Sequence, residues 1–255
     1  MDLGLSDRVY VVTGASRGLG RACAQQLAAE GARLVLSGRD EAALSATAAA
    51  LGGSERAIAV SGDISEAGIE TCLAAAAVAR YGRLDGALIC VGGPPAGSVM
   101  ETEDGGWRLA FETGFLGPVR MARTVAANVS NEGGSVLFVL SASVHESQAG
   151  QALAHGLRPA VAMTAKTMAD ELGPRNVRVN ALMPGHIDTE RAHPLAPDAE
   201  DGAEETRRRA EDAIPLRRYG ESLEFARPAV FLLSPAASYV TGSILAVDGG
   251  LTRSS

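Results

Sequence analysis

Three glycines punctuate Thr13-Gly14-Ala15-Ser16-Arg17-Gly18-Leu19-Gly20, which follows the β-former run Val9 to Thr13 and opens a helix-period segment from about Arg17 to Glu30. No other feature restricts the fold of this chain as much. Glycines permit a tight turn and a close backbone approach, and the free amides and dipole of a helix N-terminus favour an anion. A glycine trio alone is weak evidence. Its place between a first strand and a first helix predicts a pyrophosphate cradle at the head of a βαβ unit, the alternative being a turn with a structural role only.

The same alternation continues along the chain. Arg33 to Ser37, Ala57 to Val60, Leu84 to Cys90, Ser135 to Leu140, Val177 to Leu182 and Ile244 to Val247 read as further strands. Between them lie helical stretches at Glu41 to Leu51, Glu66 to Tyr81, Glu103 to Val129, Gln151 to Leu172 and Leu223 to Leu233. Strand and helix in strict succession predict an α/β fold: a doubly wound, seven-stranded parallel sheet with helices on both faces, in a single domain over residues 1–255. The stretch Gly185 to Pro215 is too long for a simple connection and reads as a substrate lid with a short internal helix, or else as a surface loop.

A net charge of −7 argues against nucleic acid or an anionic membrane as partner, since both are negative. Met1 to Asp7 lacks the basic and apolar parts of a signal peptide, and no run approaches the ~20 apolar residues that span a bilayer, so the expected compartment is the cytoplasm. Cys23, Cys72 and Cys90 have neither disulfide-framework nor metal-ligand spacing, so no metal is expected.

The end of the second strand selects the dinucleotide. An NAD(H) site places a carboxylate there for the ribose hydroxyls. This chain has Leu36-Ser37-Gly38-Arg39, with Arg17 in the glycine loop as well. Two guanidiniums suit a 2′-phosphate through charge-assisted hydrogen bonds, which predicts NADP(H) over NAD(H). Asp40 facing the ribose, with Arg39 a plain surface residue, is the alternative.

These residues resemble the short-chain dehydrogenase/reductase family almost end to end. The Thr-Gly-x-x-x-Gly-x-Gly loop matches throughout, and Gly62-Asp63-Ile64 resembles the segment whose aspartate helps seat the adenine. Arg178-Val179-Asn180, then Pro184-Gly185-His186-Ile187-Asp188-Thr189, resembles the strand and Pro-Gly loop that meet the nicotinamide. Tyr239-Val240-Thr241-Gly242 and Val247-Asp248-Gly249-Gly250 match the closing strand. The resemblance implies a Rossmann-type fold with the cofactor on Gly14, Ser16, Arg17, Gly18, Leu19 and Gly20 of the loop. Arg39, Asp63, Ile64 and Gly92 would hold it from the next strands, with Arg158, Pro184, Gly185, Ile187 and Thr189 on the far side. It further implies a small carbonyl or alcohol substrate, and homo-oligomers (dimers or tetramers) built through the long fifth and sixth helices and the last strand.

The family carries its chemistry on Asn, Ser, Tyr and Lys, and here the resemblance breaks. Ser141 stands at the end of the fifth strand, where the family places its serine. The tyrosine position, thirteen residues on, is Ala154, and the lysine position four further is Arg158. Counting back from Asn180 reaches residue 158 as well. The asparagine position is Gly114, and Asn-Ala-Gly after the fourth strand reads Cys90-Val91-Gly92. Lys166, the only lysine, falls two helical turns too late. Ser141 and Arg158 are therefore the catalytic candidates. Arg158 keeps a charge that can clasp a ribose, but a guanidinium is a poor proton donor.

His145, His155 and His186 lie in cleft-forming segments and titrate in a useful range, though each also reads as an ordinary polar residue. His155 points about 100° away from the lost tyrosine. The expected function is an NADP(H)-dependent oxidoreductase of a ketone or secondary alcohol with an altered site. The alternative is a non-catalytic NADP(H)-binding homologue, a sensor or partner subunit. Non-redox chemistry ranks last, because relatives of that kind lose the glycine loop that this chain keeps. Substrate choice is expected to lie with the lid and with the Gly93 to Met100 loop.

Overall fold

The computed structural model describes residues 2–141, 144, 149–189 and 202–253. Strands β1 (Val9–Thr13), β2 (Arg33–Gly38), β3 (Ala57–Ser61), β4 (Gly86–Ile89), β5 (Gly134–Val139) and β6 (Val177–Pro184) come first along the chain. Two short strands, β7 (Ile187–Asp188) and β8 (Gly220–Glu221), precede β9 (Ile244–Val247). The helices are α1 (Gly18–Ala29), α2 (Glu41–Ala50), α3 (Ile69–Tyr81), α4 (Asp104–Phe111), α5 (Gly117–Asn128), α6 (Ala152–Leu172), α7 (Gly202–Ala213) and α8 (Ser222–Leu233). A seven-stranded sheet runs β3-β2-β1-β4-β5-β6-β9, every neighbour parallel, and β7 pairs with β8 beside it.

The central strands β1, β2, β4, β5 and β6 are apolar on both faces because helices cover both, while the edge strands β3 and β9 are partly exposed. Side chains alternate between two cores. Tyr10, Val12, Leu34 and Leu36 face α1, α2 and α8 through Leu27, Leu44 and Phe225. Val9, Val11, Val136 and Phe138 face α3, α5 and α6 through Leu73, Met121 and Val161. The period of two along each strand thus decides which layer a residue joins.

Differences from the sequence reading lie at element ends. Helix α3 begins at Ile69 rather than Glu66, because Asp63 and Ser65 form a turn in which the Glu66 amide donates to the Asp63 carbonyl at 3.0 Å. The long helical region around Glu103 to Val129 is α4 and α5 joined by a π-helical turn, Glu112–Leu116. The expected helix of the 185–215 stretch is α7, while residues 190–201 lie outside the described residues. Among the described residues no helix is long and apolar enough to cross a membrane.

At the amino edge of the sheet, the fully buried Asp85 carboxylate accepts from the Val9 amide at 2.8 Å and from Arg8 at 3.0 Å. It also accepts from Arg83 at 2.8 and 2.6 Å. Removing it strands the buried Val9 amide and takes the buried carboxylate from Arg8 and Arg83, which keep Gly4 and Glu132 as partners. Asp85→Ala is expected to lower the unfolding free energy in urea by about 3 kcal/mol, and a loss under about 1 kcal/mol would mean the network is ornamental.

Candidate active site

The chain leaves β1 toward β2 and β3, and later returns to the other side of β1 with β4. This divergence opens a crevice at the carboxyl ends of β1 and β4, where open α/β sheets bind ligands. The Thr13 hydroxyl closes its floor, donating to the Cys90 carbonyl at 2.8 Å and accepting from the Cys90 amide at 2.9 Å. Two glycines above are dictated by space. A Cβ on Gly14 would lie 2.6 Å from the Cys90 carbonyl oxygen, and one on Gly20 would lie 2.3 Å from the Gly14 carbonyl oxygen.

Helix α1 starts after Arg17 with no side-chain cap and no acidic residue in its first turn. Its first amides therefore suit an external anion. Leu19 lines a cavity of about 250 Å³ with Pro184, Gly185, His186, Ile187, Thr189 and Tyr219. A second, of about 290 Å³, opens beside it between Gly18, Arg21, Asp188, Thr189 and Ser222. These observations fit a dinucleotide diphosphate.

Beyond β2, Ser16 packs against Gly38, and Arg17 and Arg39 are exposed. Asp40 caps α2, one carboxylate oxygen accepting from the Ala43 amide at 3.0 Å. Asp63 accepts from the Ser65 amide at 2.9 Å and hydroxyl at 2.7 Å, with Arg39 at 3.9 Å from its other oxygen. Burial pushes the Asp63 carboxyl up, but these bonds and Arg39 outweigh it and hold it below its ordinary value. The Ile64 carbonyl lies against Gly117, which leaves no room there for a Cβ.

Across the crevice, Ser141 follows β5, half-buried, its carbonyl accepting from the Val144 amide at 3.1 Å. Ala154 and Arg158 lie one turn apart on α6, both buried. The Arg158 guanidinium donates to the carbonyls of Val139 at 3.2 Å and of Val91 and Gly92, each at 3.4 Å. It thus ties the ends of β4 and β5 together. Burial pushes the Cys90 thiol up to about 11 against the opposing pull of Arg158 and the Gly20 amide, so it stays a neutral packing group. Gly114 sits in the π-helical turn, and a Cβ there would meet Leu157 at an ordinary 3.8 Å.

Of the histidines, His145 lies outside the described residues, and His155 is half-buried on α6. His186 stacks on Tyr219 at 5.1 Å and 19°, and partial burial lowers its pKa. Lys166 is exposed on α6. Tyr219 is the residue that sequence reasoning missed. The pairing of β7 with β8 carries it to the Pro-Gly segment, and two-residue strands leave no periodicity to read. Among the described residues no cluster of three or more His, Cys, Asp or Glu could hold a metal.

The family model described as enoyl-(acyl carrier protein) reductase matches residues 14–252. The chain is 35% identical over 256 residues to L-rhamnose 1-dehydrogenase (NAD(P)(+)) of Azotobacter vinelandii, covering 97% of each. It belongs to the short-chain dehydrogenase/reductase family. Galactitol 2-dehydrogenase (L-tagatose-forming) of Cereibacter sphaeroides is 36% identical over 252 residues, covering 94% of this chain and 93% of that one. Among solved structures, L-sorbose reductase from Gluconobacter frateurii, in complex with NADPH and L-sorbose, superposes with a TM-score of 0.93 at 29% identity over the whole of both chains. The protein is thus an oxidoreductase of short-chain dehydrogenase/reductase type, with the fold in which that family binds a nicotinamide cofactor.

Gly20→Ala tests the crevice. Overpacking of this kind costs about 1–3 kcal/mol, and here the strain falls on the loop. The variant is expected to keep its sheet, by circular dichroism, and to lose dinucleotide binding. Unchanged binding would separate the loop from the cofactor.

Proposed function

We propose that this protein is an NADP(H)-dependent oxidoreductase that interconverts a small ketone and its secondary alcohol, sugars and sugar alcohols being the class to try first. The commitment of Asp40 to the α2 cap, with Arg17 and Arg39 left at the ribose end, carries the cofactor preference. The sugar class draws on the named activities of the three relatives above.

In this reading Gly14, Ser16, Gly18, Leu19 and Gly20 cradle the diphosphate, with Arg17 and Arg39 on the 2′-phosphate. Asp63 and Ile64 border the adenine, and Gly92, Pro184, Gly185, Ile187 and Thr189 border the nicotinamide. The bound nicotinamide supplies or accepts the hydride. Arg158 clasps the ribose and holds the ends of β4 and β5, while the Ser141 hydroxyl donates to the substrate oxygen and orients it. Ala154 has no proton to give, so the proton that completes the alcohol comes from water in the cleft. General acid catalysis is worth about 10²–10⁴ in rate. Turnover here rests on positioning instead, in an altered site behind the segment 185–215, which we read as a substrate lid. The protein works as a homo-oligomer in the cytoplasm, and residues 1–255 form one domain.

Calorimetric titration with NADPH and NADH tests the cofactor reading. NADPH is expected to bind more tightly, and Arg39→Ala to weaken NADPH about tenfold, as for loss of a charged hydrogen bond, while NADH shifts less than about twofold. Equal affinity for both would refute the role of Arg39. Restoring the acid in Ala154→Tyr with Arg158→Lys is expected to raise kcat for a substrate the native protein already turns over by about 10²-fold. Activity seen only in the restored variant would favour a non-catalytic binding protein.

A further inference from the structure

Helix α7 is dense in charge, and its arginines are not equivalent. Arg208 and Arg209 turn back on their own helix, to Glu205 at 2.6 and 2.9 Å. Arg207 reaches Glu211 at 3.0 Å but also leaves the helix. Its guanidinium lies 3.1 Å from the Asp188 carboxylate in β7, and its central carbon lies 4.6 Å from the centre of the Tyr219 ring. Tyr219 in turn stacks on His186, and the Gly220 amide donates to the His186 carbonyl at 2.9 Å. His186, Ile187, Thr189 and Tyr219 wall the 250 Å³ cavity that also contains Leu19 and the Pro-Gly pair. One guanidinium therefore grips β7 at Asp188 and the residue that leads into β8, Tyr219, on the two sides of that wall.

We propose that Arg207 is a positioning residue that clamps α7 onto the Pro-Gly segment and thereby fixes the outer wall of the nicotinamide-side cavity. The role in cofactor retention rests on the dinucleotide reading above; the clamp itself does not. The half-exposed ion pair by itself is weak. The same cation over an aromatic face adds a second, salt-tolerant contact, and both must break for β7 and β8 to part from α7. Buried Ile214, against Gly249, anchors the far end of the helix, so Arg207 controls the middle.

Hydrogen exchange of the Gly220 amide in cofactor-free protein judges the clamp, and stopped-flow release of NADPH judges its effect on the cofactor. In Arg207→Gln both are expected to speed up about tenfold. Arg207→Lys, which keeps the cation, is expected to recover part of each. Arg208→Gln, whose partner lies within α7, controls for helix charge and is expected to leave both unchanged, with melting temperatures of all variants alike. Equal exchange at Gly220 in Arg207→Gln and Arg208→Gln overturns the clamp. Faster exchange with unaltered NADPH release overturns its link to the cavity. If the native protein binds neither dinucleotide, the functional reading falls, and the exchange result still decides the clamp.

Discussion

The Thr13 hydroxyl stands between β1 and β4, bonded to both the amide and the carbonyl of Cys90. Each such buried bond is worth about 1 kcal/mol, but its position matters more than its energy. It holds together the two strands at which the chain changes direction across the sheet, and the crevice exists because they stay together while their loops part. The turn after β1 must then pass close over β4, which excludes a side chain at Gly14, and α1 must begin close over that turn, which excludes one at Gly20. On one side the constraint places Arg39 and Asp63, and on the other Arg158 and the Pro-Gly segment.

In the function proposed above, Arg158 preserves the scaffold while changing the chemistry of the site. Its guanidinium reaches the carbonyls at the ends of both β4 and β5, a span suited to several donors in a fixed fork. The cleft thereby keeps a fixed cation and a rigid rim. Proton exchange does not come with it. Burial keeps the neighbouring Cys90 thiol protonated in the ordinary pH range.

The sheet was legible because its central strands are buried on both faces and the helices between them are long enough to show their period, as in α6. The glycine loop was legible because sterics leave no alternative at Gly14 and Gly20. Element ends were less so: α3 starts late because Asp63 and Ser65 compete for the backbone in a turn. The role of Asp40 was open in sequence, since the same carboxylate suits a ribose or a helix cap; the structure shows it capping α2. Tyr219 was invisible. It reaches the candidate site through a two-residue pairing more than thirty residues apart in the chain, Ile187 with Gly220.

In the function proposed above, the crevice supports hydride transfer without the family tyrosine. This is tested by supplying NADPH deuterated at the transferable C4 position with a panel of ketoses and simple ketones, then weighing the alcohols formed. The account predicts one deuterium on the new carbinol carbon, lost in Ser141→Ala. A protein that binds NADPH tightly yet leaves every carbonyl in the panel unlabelled would contradict it.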